Sequence, residues 1–168
     1  MQTFIENTKP LKESGFSLLE LMVVVAIIAI LALMAIPSQT GRVTQKKIVE
    51  TLDLVEGYKA NVNAFYQISG GDFPDNNLEA GMPEPDKIKG TYLRKLEVRE
   101  GALHLTLGQN LPNSLHNKII SLRPVFVEDT PQTPLSWVCA AARVPDGMRV
   151  AGTDLSDLDI AFLPGRCR

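Results

Sequence analysis

The sequence predicts an α+β fold, in which a long N-terminal α-helix with an apolar first half packs on a four-stranded antiparallel sheet and a disulfide closes the C-terminal tail. Three features support this prediction: a long apolar run near the N-terminus, a series of short strand-like segments in the second half, and two cysteines near the C-terminus. A chain of 168 residues is long enough for one domain with a modest core.

The first predicted element is an apolar helix behind a short leader. Residues 1–15 are mostly polar, and from residue 18 to residue 36 every residue except Glu20 is apolar. At about 1.5 Å per residue, a helix over this run extends roughly 28 Å, close to the hydrocarbon thickness of a bilayer. We therefore predict a leader over residues 1–15 and a transmembrane helix over residues 16–36.

The second predicted element continues this helix as an amphipathic half over residues 37–67. Pro37 and Gly41 are the residues at which we expect a break, because proline disrupts a helix interior and glycine weakens it. Helical periodicity then resumes, so that one bent helix is predicted over about residues 17–67. The apolar stripe of its second half consists of Ile48, Leu52, Val55, Val62 and Phe65.

The remaining predicted elements form a globular head over residues 68–168. Residues 68–91 are rich in Gly, Pro, Asn and Asp and predict a long loop. A sheet is predicted over residues 92–142, with a two-residue hairpin turn at Glu100-Gly101. Its four strands are expected at residues 92–99, 102–107, 118–127 and 135–142.

The C-terminal tail contains both cysteines, Cys139 and Cys167. Behind an export segment, an isolated pair of cysteines is expected to form one disulfide, whereas a cytosolic chain would carry two free thiols. We predict the disulfide, which closes a tail over residues 139–167.

Metal, cofactor and enzyme classes find no support in the sequence. His104 and His116 lack the spacing of a zinc site. Asp154, Asp157 and Asp159 lack the glycine and the terminal glutamate of an EF-hand loop, which favours a solvated acidic tail over a calcium site. No catalytic Ser/His/Asp or Cys/His arrangement and no phosphate loop is evident. The net charge of −2 gives bulk nucleic-acid binding no electrostatic support.

Three hypotheses compete for residues 1–40. A cleaved secretory signal is disfavoured by the length of the apolar run, by the weakly charged leader and by the lack of an A-x-A-like site. A plain membrane anchor leaves Glu20 unexplained, since an acid at mid-bilayer costs on the order of 2.5–3.5 kcal/mol, and less near the interface. Cleavage between Gly15 and Phe16 would create an ammonium one turn before Glu20. In a helix bundle, this ammonium could pair with Glu20 of a neighbouring subunit.

The segment begins with the Gly15-Phe16 junction, and Glu20 is the fifth residue after the cut. It closely resembles the prepilin cleavage and methylation motif. Pro37 also matches the proline that this family carries in the helix. The motif is shared by type IV pilins and by the pseudopilins of type II secretion. The resemblance implies that a prepilin peptidase and methyltransferase cleaves after Gly15 and methylates the Phe16 amine.

The C-terminal half is similar to type IVa pilins of the neisserial or Pseudomonas kind. Trp137 stands two residues before Cys139, and Leu163-Pro164 leads into Cys167, as in that family. The fifteen-residue leader is longer than the usual type IVa leader, and the tail is longer and more acidic than in a minimal pilin. The resemblance implies the type IV pilin fold.

The resemblance also implies a function. The chain would be a structural pilus subunit, held in the inner membrane of a Gram-negative bacterium as a single-pass protein. The pilus assembly machinery would then polymerise it through its N-terminal helix, with Phe16 and Glu20 in contact between subunits. The resulting extracellular filament, a helical homopolymer, would serve adhesion, twitching motility and DNA uptake, with host surfaces or DNA as its partners.

Three alternatives to the major subunit stay open. A minor pilin that primes or tips the fibre would share the same motif. A type II secretion pseudopilin would lack the paired C-terminal cysteines and carry a calcium-binding loop. A monomeric membrane-anchored periplasmic domain would keep its leader.

Overall fold

The computed structural model describes residue 15, residues 17–35 and residues 39–168. The chain divides into two compact units, Met1–Ser38 and Gln39–Arg168. The first unit contains helix α1, Leu18–Ala35, a continuous apolar helix apart from Glu20 in its first turn. The predicted leader up to residue 14, Phe16 and Pro37 lie outside the described residues.

The second unit begins with two helices joined by a tight turn. Helix α2 spans Gln39–Leu54, a 3₁₀ turn follows at Glu56–Tyr58, and helix α3 spans Lys59–Ser69. Gly41, one of the two residues at which a break is predicted, lies inside α2; a single glycine costs a helix about 1 kcal/mol relative to alanine, too little to end it here. Gly70, with a φ of 80°, caps α3 in the left-handed conformation.

The apolar face of these helices forms one side of the core. Ile48, Leu52, Val55 and Val62 are all at most 2% exposed and belong to one cluster with the residues of the sheet. The predicted stripe is wrong at its end. Tyr66 is the buried residue there, whereas the predicted Phe65 is only half-buried, because a helix returns closer to the face of Val62 after four residues than after three.

The sheet is antiparallel, and its first four strands lie in the order of the sequence. The predicted four-stranded sheet is confirmed, with strand ends that differ by at most three residues. A short fifth strand was not predicted and pairs with the end of β3. The strands are β1 Leu93–Arg99, β2 Ala102–Leu107, β3 Ile119–Phe126, β4 Ser136–Cys139 and β5 Arg149–Val150.

The hairpin between β1 and β2 turns at the two residues that the sequence indicates. Glu100 and Gly101 both have positive φ, at 48° and 77°, as a type I′ turn requires, and Arg99 pairs with Ala102 across it. A Cβ atom at Gly101 would lie 2.5 Å from the Phe73 ring. Glycine is therefore required here both by the backbone and by the close approach of the loop.

The tail after β4 returns to the sheet and packs against β3. The Leu155 N–H donates to Ser121 Oγ at 2.9 Å, and the Ser121 N–H donates to Ser156 Oγ at 2.9 Å. The Asp157 carboxylate accepts the N–H of Ile119, the first residue of β3. The tail therefore forms part of the folded head.

Candidate functional site

Helix α1 presents apolar surface on all sides. From residue 17 to residue 32 every side chain is exposed; Leu18 is 77% exposed and Leu31 is 61% exposed. A soluble helix normally buries one apolar face, and a helix that is apolar all round is stable only when it is covered. This surface therefore requires a partner or an apolar medium.

Ser17 begins α1 as its N-cap residue. Its Oγ accepts the N–H of Glu20 at 3.3 Å, and its carbonyl accepts the N–H of Leu21 at 3.2 Å. The Ser-x-x-Glu spacing is the signature of a capping box, which the sequence analysis did not use. An acidic side chain in a first helical turn also interacts favourably with the helix dipole. The position of Glu20 in the first turn therefore suits a carboxylate within its own helix, apart from its predicted role between subunits.

The predicted processing residues are only partly described. Gly15 is exposed, and a Cβ placed on it would have no atom within 4 Å. Phe16 lies outside the described residues. Within residues 17–35 and 39–168, no helix has the length and apolar character needed to cross a membrane.

The predicted disulfide between Cys139 and Cys167 is confirmed. Their Cα atoms are 4.6 Å apart, and both residues lie in the core, at 6% and 0% exposure. Two side-chain contacts shortly before Cys167 hold the tail against α2. The Arg166 guanidinium pairs with Asp53 at 2.9 Å, and the Gln45 amide donates to the Ala161 carbonyl at 2.8 Å.

The aspartates of the tail stabilise local structure. Asp157 pairs with Lys118 at 3.0 Å in addition to its bond to β3. Asp154 and Asp159 each accept a backbone N–H from the residue two positions later. Among the described residues, no group of three or more His, Cys, Asp and Glu side chains could hold a metal ion.

Two buried polar side chains were missed by the sequence analysis. His104 is 3% exposed, and its Nδ1 lies 2.9 Å from Ser121 Oγ. Asn77 is 4% exposed and bonds to the backbone of β1. Each bond joins residues at least 17 positions apart, so no local pattern in the sequence indicates it.

Comparison with known proteins matches most of this chain. The model of the pilin family, a bacterial filament family, matches residues 47–168, and the prokaryotic N-terminal methylation motif matches residues 10–36. The chain is 31% identical to type IV major pilin protein PilE1 of Neisseria gonorrhoeae, over 93% of this chain and 94% of that protein. It is 30% identical to a fimbrial protein of Neisseria meningitidis serogroup B, with the same two coverages. It is 26% identical to fimbrial protein EcpC of Eikenella corrodens, over 93% of this chain and 91% of that protein.

Proposed function

The chain belongs to the pilin family and is a structural subunit of a type IV pilus, and on that premise we propose that it is the major subunit of its filament. The family is structural and is not an enzyme family. Membership, together with the N-terminal methylation motif, implies polymerisation into pili and processing by a prepilin peptidase. The relatives named as major pilins support the choice of the major subunit over a minor one.

The observation that carries the proposal is the exposure of α1. A helix with apolar side chains on every side has two stable environments, a bilayer and a bundle of like helices. We propose that α1 occupies the inner membrane first and the centre of the filament afterwards. The exchange is possible because both environments cover the same apolar surface.

Processing would prepare the helix for this exchange. We propose that the peptidase cleaves between Gly15 and Phe16, since Gly15 is exposed and has no side chain to obstruct a protease. Methylation would follow at the Phe16 amine. The ammonium would then pair with Glu20 of a neighbouring subunit, which would offset the cost of burying that carboxylate in the bundle.

The head would form the outer surface of the filament and carry its contacts with the surroundings. Adhesion, twitching motility and DNA uptake are the proposed activities of the assembled fibre in a Gram-negative bacterium. Each belongs to the polymer and its motor machinery rather than to one chain.

The test is the composition of sheared surface filaments. We expect this chain to be their main protein, with an intact mass that begins at Phe16 and includes one N-methyl group. Gly15→Ala should be cut at least in part, whereas Gly15→Leu should accumulate the precursor in the membrane. A filament mass that includes residues 1–15 would exclude the cleavage site. A chain that is a trace component of the filaments would be a minor subunit.

A further inference from the structure

The head contains an open cleft that the filament function does not use. It lies between the β1–β2 hairpin, the loop over residues 75–85 and the tail at Thr153 and Leu155, and we call it the hairpin cleft. Its volume of about 860 Å³ lies in the range of small-molecule sites, roughly 300–1,000 Å³. Apolar side chains, among them Met82, Val98 and Leu155, form part of its lining.

The hairpin cleft is lined by more carboxylates than cations. Of its four acidic side chains, Glu97 is paired with Lys95 at 3.0 Å and with Arg99 at 2.7 Å. Among the described residues, the carboxylates of the other three have no hydrogen bond and no ion pair. The three are Asp75, Glu84 and Glu100. The cleft therefore offers an excess of negative charge to a ligand.

A second kind of polar group, the imidazole of His104, lines the same cleft. His104 is 3% exposed, its Nδ1 is engaged by Ser121, and its Nε2 has no hydrogen-bond partner among the described residues. Among the described residues, Arg123 Nε is the one enclosed side-chain nitrogen or oxygen without a partner, so His104 Nε2 is open to the cleft and can bond to a ligand there.

The hydrogen bonds of Ser121 determine which ring nitrogen of His104 carries the proton. Ser121 is fully buried, and its Oγ accepts the Leu155 N–H at 2.9 Å. The only acceptor for its hydroxyl proton among the described residues is His104 Nδ1. Neutral imidazole carries one N–H, so the proton lies on Nε2. His104 therefore presents a donor to the cleft, beside carboxylates that can only accept.

We propose that the hairpin cleft binds an organic cation, a primary ammonium or a guanidinium group, that carries a carbonyl or hydroxyl oxygen near its charge. The cation meets the unpaired carboxylates, and the oxygen accepts the His104 Nε2–H. Two sources share this chemistry: a free amino compound, and a lysine or arginine side chain beside a peptide carbonyl. The proposal is independent of processing and assembly.

The test uses the fact that the chain has only two histidines, His104 and His116. The full chain in detergent micelles, with ¹⁵N-labelled histidine, is titrated with Nα-acetyl-lysine methylamide and observed through the imidazole nitrogens. We expect the His104 signals to shift in a saturable manner while those of His116 stay in place. Nα-acetyl-norleucine methylamide, which has the same backbone without the charge, should bind at least about tenfold more weakly.

A matched pair of double variants tests whether binding depends on the carboxylates of the cleft or on the overall negative charge of the chain. Glu84→Gln with Glu100→Gln should weaken lysine-probe binding about tenfold, since both carboxylates line the cleft and would pair with the ammonium. Glu50→Gln with Asp129→Asn removes the same charge outside the cleft and should leave the affinity unchanged. Binding should also weaken as NaCl is raised to 1 M, where the screening length falls to about 3 Å.

A parallel titration with 2-aminoethanol identifies the source. Equal or tighter binding of 2-aminoethanol supports the cation site and indicates a free amine, whereas binding of the lysine probe alone supports it and indicates a protein side chain. The proposal is overturned if neither probe shifts His104, if the norleucine probe binds equally well, or if the two double variants weaken binding to the same extent.

Discussion

The side chain of Asn77 accepts a hydrogen bond from the backbone N–H of Val98, with 2.7 Å between Oδ1 and N. Its Nδ2 donates to the carbonyls of Leu96 and Pro83, each at 2.9 Å. β1 is the first strand of the sheet order, so the N–H of Val98 and the carbonyl of Leu96 belong to a sheet edge. One amide therefore satisfies the edge as a neighbouring strand would, and blocks it against pairing with another chain.

Asn77→Ala is expected to destabilise the head by about 2–3 kcal/mol, because buried backbone groups of β1 lose their partners. Asn77→Asp should be comparably harmful, since a carboxylate accepts from Val98 but cannot donate to Leu96. Asn110→Ala, which removes one exposed bond to Thr91, is the control and should cost less than about 1 kcal/mol. Urea unfolding of the full chain in micelles measures the difference, and equal midpoints for Asn77→Ala and Asn110→Ala would contradict this account.

The disulfide should contribute about 3–4 kcal/mol to the head, since its two cysteines are 28 positions apart and closing such a loop restricts the unfolded chain. Cys139→Ala with Cys167→Ala should lower the free energy of unfolding by this amount and reduce surface filaments more than membrane insertion. The reduced wild-type chain, measured in the same urea titration, is the control for the substitution itself. An unchanged unfolding midpoint in both samples would show that the core holds the tail without the bond.

Glu20→Ala and Glu20→Gln should both reach the membrane and be cut, because the Gly15-Phe16 junction and the apolar run are unchanged. Both should form few filaments, since each leaves the neighbouring amine without a carboxylate in a dry bundle. Glu20→Gln should be the milder change, as it keeps the shape and some hydrogen bonding. The measurement is the ratio of sheared-filament pilin to membrane pilin for each variant.

Ser17→Ala is the control for the role of Glu20 within its own chain. It removes the cap bond to the Glu20 N–H, at a typical helix cost of about 1 kcal/mol, and leaves the carboxylate in place. We expect it to assemble close to the wild-type level. If Ser17→Ala lost filaments as Glu20→Gln does, helix capping would explain Glu20 and the intersubunit pair would be rejected.

His104 should make the stability of the head depend on pH below about 6.5. Burial lowers the pKa of His104 most strongly, and Arg99 lowers it further, against the opposing charges of Glu97 and Asp154. The unfolded chain therefore takes up a proton first as the pH falls. Stability is full above the unfolded pKa and declines between that value and the folded pKa, by at most about 1.4 kcal/mol per pH unit.

Urea midpoints between pH 7.5 and pH 5 measure this slope. His104→Gln should lower stability overall, because the buried site is disturbed, but it should remove the slope in this range. A variant that keeps the wild-type slope would assign the titration to another group.

The sequence was a good guide wherever local chemistry determines the structure. The hairpin was predictable because Gly101 provides positive φ, and the strands because their residues favour extended backbone. The interruption at Glu56–Tyr58 was missed since the apolar stripe from Val55 to Val62 keeps helical spacing across it. β5 is only two residues long and depends on β3, so no periodicity indicates it.

The candidate site also combines features that the local sequence indicates with features that form only on folding. The cleavage motif and the cysteine pair are visible in the order of residues. The hairpin cleft is not, because its carboxylates come from the loop and the β1–β2 hairpin, and the tail joins them only after folding. His104 and Ser121 stand on different strands, and only the register of β2 against β3 brings them together.

The two hydrogen-bonded contacts between α2 and the tail have a mechanical consequence. Any tension on a filament helix enters the head through the covalent chain at Gln39, where α2 begins. Gln45 and Asp53, roughly 12 Å apart along α2, are both bonded to the tail, which Cys167 joins covalently to β4. A force along α2 is therefore carried by both contacts at the same time, in shear, and does not break them one after the other. The head is built to bear traction along its helix axis.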